Sequence, residues 1–130
     1  VKIDSFSGKG VQIYTCTVHE TATQWMLKAP EAQLTDASGV IFAKHYAGPS
    51  WEATDGSKAM GKVLETIPAP QAAAIPWLLL SATSSGAGAL SGTRFVQRIH
   101  TSGGVAPGSA CAKLGAEQRV PYSADYVFYR

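Results

Sequence analysis

Period-two alternation dominates the pattern of apolar and polar positions. Val11, Ile13, Thr15 and Thr17 fall on one face of Val11–Val18, and Gln12, Tyr14, Cys16 and Val18 on the other. Side chains alternate across a strand, so this pattern predicts a β-strand. Residues 1–10 read as a short polar lead. A second strand is expected over Trp25–Ala29, stopped by Pro30, with a short piece at Glu31–Leu34 before the turn at Asp36–Gly39. A third covers Val40–Tyr46 and ends at Gly48-Pro49. Trp51–Ala53 is short and extended, Asp55-Gly56 marks a hairpin turn, and Ser57–Thr66 returns as a strand.

Prolines at 68, 70 and 76 punctuate the next stretch and limit any helix near Ala72–Ala74 to about one turn. Trp77–Ser81 reads as a buried strand, with a short core helix as the alternative. Ser84–Gly92 reads as a mobile loop. Thr93–Thr101 alternates again, with Arg94, Val96, Arg98 and His100 on one face, and Tyr122–Tyr129 is a last aromatic strand. Seven to nine short strands with frequent turns predict a mainly β chain. The expected architecture is a single-domain antiparallel β-sandwich or small β-barrel over residues 1–130, with long loops and one disulfide. We expect Trp25 and Trp77 inside and Trp51, beside glycine and proline, half exposed.

Composition narrows the function classes. Charged residues make up 15% of the chain, against about 25% in an ordinary domain. Residues 1–65 hold six Lys against seven Asp and Glu; residues 66–130 hold five Lys and Arg against two. Neither half clusters basic residues as phosphate-backbone binding requires, so no nucleic-acid partner is expected. No apolar run approaches the ~20 residues of a membrane-spanning helix. There is no asparagine, hence no N-glycosylation acceptor. Cys16 and Cys111 lie outside any Cys-x-x-Cys unit; a disulfide between them is expected, with two buried thiols as the alternative. A structural disulfide implies an oxidising compartment, so the chain is expected to be secreted or periplasmic. Opening on Val1 rather than methionine fits a removed signal peptide or a trimmed chain.

Candidate chemistry concentrates in residues 45–57. His45, Tyr46, Trp51, Glu52 and Asp55 crowd between two strands, and His100 ends another strand that could approach them. His45, Asp55 and Ser57 are the types of a base, an orienter and a nucleophile, but no nucleophile-elbow pattern surrounds Ser57, and Asp55-Gly56-Ser57 is equally explained by turn chemistry. No two histidines stand at a spacing that puts two metal ligands on one element. Glu52 and Asp55 are a weak pair for glycoside hydrolysis. Arg94 and Arg98, four apart on one strand, read as a solvated face, with anion binding as the alternative. Tyrosine and tryptophan offer rigid area with one polar handle, which suits recognition. The expectation is therefore a binding site without an assigned catalytic residue, metal or cofactor: His45, Tyr46, Trp51, Glu52, Asp55 and His100 receiving a small ligand or a protein partner. The alternatives are a metal-binding or hydrolytic enzyme centred on His45 and a periplasmic inhibitor of a cell-wall enzyme such as lysozyme, to which Tyr14-Thr15-Cys16 has a thin likeness.

Several ordered segments carry a resemblance over the whole chain. They are Gly10–Cys16, Trp25 with Ala29–Ala32, His45–Glu52, Asp55–Ser57, Ile75–Leu80, Gln97-Arg98 with Thr101, Gly103-Gly104, and Ala124–Tyr126 with Phe128-Tyr129. In this order they resemble the secreted bacterial and fungal family called domain of unknown function 3455. The resemblance implies an exported protein with a signal peptide. It implies no activity. No Gly-x-Gly-x-x-Gly follows a strand, so nothing supports dinucleotide chemistry.

Overall fold

A computed structural model describes residues 1–130. Eight strands follow one another round a closed antiparallel barrel: β1 (Lys2–His19), β2 (Ala22–Thr35), β3 (Ile41–Tyr46), β4 (Ser50–Ala53), β5 (Lys58–Ile67), β6 (Trp77–Ser85), β7 (Phe95–Gly103) and β8 (Glu117–Tyr129). β1 pairs with both β2 and β8, which closes the ring and leaves no end strand unpaired. Of the two architectures expected, the barrel is the one formed. No helix is long and apolar enough to cross a membrane.

Several boundaries differ from expectation. Residues 2–10 are strand, not a polar lead, because they pair with β8 along Lys2–Gly10. Pro30 does not stop β2. It sits opposite Gln12, and β2 meets β3 only from Ala32 onward, so the missing N–H faces a side with no ladder to break. Residues 77–81 belong to a strand that runs on to Ser85, and Ala72–Ala74 forms no helix.

The barrel interior alternates bulk with vacancy. Phe6, Leu34, Trp51, Leu80, Val96, Tyr126 and Phe128 fill it, and Ala32, Ala43, Ala53, Ala59 and Ala124 make room for them. Trp51 is 1% exposed, against the half-exposed position expected: it faces inward, where its ring meets Tyr126 and Phe128 edge-on at 5.8 Å. Trp25 and Trp77, expected inside, are only half-buried and lie outside the core cluster. Gly10 is required by the approach of β2. A Cβ there would stand 2.7 Å from the Ala32 Cβ and overlap the Glu31 carbonyl oxygen. Gly10→Ala is expected to cost about 1–3 kcal/mol in urea unfolding, since the clash is with backbone and cannot be relieved by a rotamer change. A loss below about 0.5 kcal/mol would show that the two strands part easily.

The two ends of the barrel are built differently. At the end holding both termini, residues 86–94 fold across as a cap and bury Leu90 completely. The cap is pinned, not mobile. The Ala89 N–H donates to Asp55 Oδ2 (2.8 Å), the Leu90 N–H donates to Ser57 Oγ (3.0 Å), and the Gly92 N–H donates to Ser84 Oγ (2.9 Å). Gly88 lies so close over the Asp55 carboxylate that a Cβ would collide with it.

At the opposite end the wall is uneven. β3 and β4 are short and turn back at Ala47–Pro49, whereas β1, β2, β5 and β6 continue past them. The last rungs of the low hairpin are Ala32↔His45 and Ser50↔Met60. Above them β2 and β5 have no neighbour between them, and the barrel opens there. The Cys16–Cys111 disulfide sits at this end and ties β1 to the long β7–β8 connection.

Candidate functional site

The opening leads to a cavity of about 260 Å³. His45 and Trp51 form its floor, on the next-to-last rung of the β3–β4 hairpin, one before Tyr46↔Ser50. Leu27 to Pro30 of β2 and Val63 of β5 form the sides of the gap, and Leu78 and Leu80 of β6 complete the apolar wall. Polar groups enter from three strands: Gln12 of β1, Arg98 of β7 and Tyr126 of β8.

Alternation explains why these side chains meet. His45 and Trp51 are cross-strand partners, so both point inward; their rings stack at 4.6 Å and 9°. Tyr126 tilts against the imidazole at 5.1 Å. His45 Nδ1 lies 2.8 Å from the Ser50 carbonyl oxygen, which can only accept, so Nδ1 carries the proton and Nε2 presents a lone pair. Burial pushes the imidazole down to about 4; the Ser50 carbonyl opposes this and the Arg98 charge adds to it. At neutral pH His45 is therefore an uncharged acceptor. Nε2 has no partner in the protein, and the ring bonds no hydroxyl, thiol or carboxylate. Gln12 Oε1 and Trp51 Nε1 are also fully buried without a hydrogen-bond partner. Four more buried polar atoms lack a partner, on Thr15, Thr17, Trp25 and Trp77, and none of those residues lines the cavity; Gln12 and Trp51 do.

Arg98 is half-buried. Its Nε and Nη2 both donate to the Pro76 carbonyl, at 3.1 and 2.8 Å. It belongs to none of the molecule's five ion pairs. Its charge acts on Tyr14, Tyr122 and Tyr126, each of which burial nevertheless holds above the usual phenol range. The Tyr122 and Tyr126 hydroxyls share a hydrogen bond of 2.8 Å. Both stay protonated.

The six candidate residues are not brought to one place. His45 and Trp51 share the cavity floor. Tyr46 and Glu52 lie on the outer face of the same hairpin, where the Tyr46 hydroxyl donates to Glu52 Oε1 (2.9 Å) and Lys58 approaches the same oxygen at 3.5 Å. The Tyr46 bond holds the Glu52 carboxyl below the usual range, and the same bond raises the Tyr46 phenol. Asp55 is at the capped end. Its Oδ1 accepts the Ser57 N–H (2.9 Å) and hydroxyl (2.6 Å), which with the Ala89 amide lowers its pKa. Ser57 is fully buried and committed at both its hydrogen and its oxygen. His45, Asp55 and Ser57 therefore assemble no triad: the dipeptide turn anchors a cap. His100 points out of the barrel, with Nδ1 2.8 Å from Asp125 Oδ2 and the ring against Trp77. No three His, Cys, Asp or Glu side chains come together in an arrangement that could hold a metal ion.

Two cavity residues, Gln12 and Arg98, carry a signal of their place in the sequence pattern. Gln12 shares a strand face with Cys16 and Tyr14; a disulfide cysteine marks that face as inward and makes Gln12 an interior amide. Arg98 shares a face with Val96, which is fully buried. The paired arginines are thus not one solvated face: Arg94 precedes β7 and is exposed, and Arg98 points into the barrel.

Comparison with known proteins adds a family and nothing on activity. No curated protein matches the chain, and no solved structure matches it. One family model does match, in two overlapping segments at residues 3–41 and 38–130, which together take in nearly the whole sequence. The chain belongs to the family described as protein of unknown function (DUF3455).

Proposed function

We propose that this chain is an exported barrel that binds a small, mainly apolar ligand in the open end, between the low β3–β4 hairpin and the overhanging strands β2 and β5. One observation carries the reading: the cavity walls are mostly apolar, and the lining residues include Gln12 and Trp51, whose Oε1 and Nε1 have no partner in the protein. Pockets for small molecules combine apolar linings with a few fixed polar groups, and barrel mouths are a recurrent place for them. At about 260 Å³ the cavity lies just under the usual ~300–1,000 Å³ range, which suits a compact molecule better than a long lipid. The disulfide supports export, because such bonds persist in oxidising compartments. An isolated neutral imidazole without a nucleophile beside it supports a binding role for His45 over a catalytic one.

The test is amide and indole NMR with small neutral solutes. Indole and toluene are expected to shift the Trp51 indole N–H and the amides of Gln12, His45 and Leu80 together. Ala29→Trp, which places a large ring at the gap, is expected to abolish those shifts while leaving the remaining spectrum in place. Shifts scattered over the surface, or unchanged in the Ala29→Trp variant, would remove the cavity as the site.

A further inference from the structure

Resting on that reading, we infer that the cavity takes a small apolar carboxylate, with the Arg98 guanidinium and the Trp51 indole N–H as its donors. The argument is one of charge and hydrogen-bond balance. Among the lining residues there is no Asp or Glu, and there are two cations. Lys28 is neutralised by Glu117, its Nζ 2.6 Å from Oε2. Arg98 is not neutralised. A carbonyl oxygen takes two of its N–H groups, which satisfies geometry and leaves the charge without a counter-ion beside an apolar wall. Arg98 is half-buried, and an anion that meets it from the cavity gains charge-assisted hydrogen bonds. The Tyr126 hydroxyl is the other protein group within hydrogen-bonding reach of the guanidinium, and Nη1 is not used by the Pro76 carbonyl, so it can donate to an anion from the cavity.

The uncommitted groups agree in sign. Trp51 Nε1–H is a donor only, buried and unsatisfied. Gln12, 3% exposed, has an orphaned amide end, and a half-turn about its last bond presents NH₂ in place of oxygen. Gln12, Trp51 and Arg98 all line the cavity, so residues able to donate to one acceptor-rich group reach its wall from β1, β4 and β7. A carboxylate has two oxygens with about four lone-pair directions and is acceptor-only when ionised, which matches this set. His45 Nε2 is the fixed acceptor and receives any hydroxyl or N–H elsewhere on the ligand. The apolar walls, Leu27, Val63, Leu78 and Leu80, leave the body of the ligand hydrocarbon or aromatic.

Acid–amide pairs of equal shape test this. Benzoate and cinnamate would be titrated against benzamide and cinnamamide, with the Trp51 indole N–H and the Arg98 side-chain N–H signals followed by NMR. The acids are expected to bind about ten-fold or more tightly than their amides, because a charge-assisted hydrogen bond is roughly twice as strong as a neutral one. Arg98→Gln is expected to erase that preference, and Arg98→Lys to keep part of it; the amide spectrum of each variant reports whether the barrel is intact, and the lysine variant serves if the glutamine variant unfolds. Equal binding of acids and amides, with shifts still at the cavity, would overturn the carboxylate inference and leave the binding cavity standing. Acid preference unchanged in Arg98→Gln would overturn the role of Arg98. No cavity shifts from acids, amides or the neutral solutes would overturn both readings.

Discussion

Cys111→Ala is expected to lower the unfolding free energy by about 2–5 kcal/mol, the usual cost of losing a native disulfide from a small domain. The bond joins residues 95 apart in sequence, so in the unfolded state it closes a loop that spans most of the chain. Loop-closure entropy rises only logarithmically with length, and for about 100 residues the chain-entropy model gives close to 5 kcal/mol. The folded state loses less. Around the bond, the Cys16 N–H donates to the Ala116 carbonyl and the Gly115 N–H donates to the Cys16 carbonyl, both backbone bonds that survive the substitution. The Thr23 hydroxyl also donates to the Cys111 carbonyl (2.7 Å) and fixes the connection against β2. Those contacts predict that the variant keeps its native spectrum while its urea midpoint falls. Wild-type protein under reducing conditions should match it. Equal midpoints with and without reductant would mean that the unfolded chain is already compact enough for the cross-link to remove little entropy.

The same region shows what local pattern can and cannot give. Alternation over Val11–Val18 identified a strand and its two faces, because period two is a property of neighbouring residues. It did not reveal that the strand begins at Lys2. Gly8 and Gly10 look like loop residues in isolation, and they are strand residues because Tyr126 lies against one and β2 crowds the other. Pro30 punctuates a local reading for a sound local reason, a missing N–H; only the length of β3, a distant fact, makes it harmless. The crowding of chemistry over residues 45–57 is visible in the sequence, but it does not form one site. A hairpin must send adjacent residues to opposite faces, so His45 and Tyr46 cannot both face the cavity, and Asp55 is carried to the far end by four residues of β4. Cys16 and Cys111 were paired correctly because the chain contains only two cysteines.

His45 sets the expected response to acid. Its ordinary value is 6.5 and burial brings it to about 4 in the folded barrel. Above pH ~6.5 the imidazole is neutral whether the chain is folded or not, and the barrel has its full stability. As pH falls from about 6.5 to about 4 the unfolded chain takes up a proton that the folded chain refuses, so stability is lost through that window; below about 4 the native imidazole protonates too and the loss levels off. The fall from 6.5 to about 4 corresponds to about 3 kcal/mol of stability. Glu52 and Asp55, both held below their usual values, add to the acid loss, but only under the ordinary carboxylate range, so they do not account for the upper half of the window. Urea unfolding at pH 7.5, 6, 5 and 4.5 measures the slope. His45→Gln keeps a donor for the Ser50 carbonyl and removes the titrating ring. It is expected to flatten the profile between pH 6.5 and 4.5 while costing some stability at pH 7.5 from the lost stack on Trp51. An unchanged slope in that variant would show that the imidazole is reached by water in the folded state, and the floor of the cavity would then be open from below as well as from the mouth.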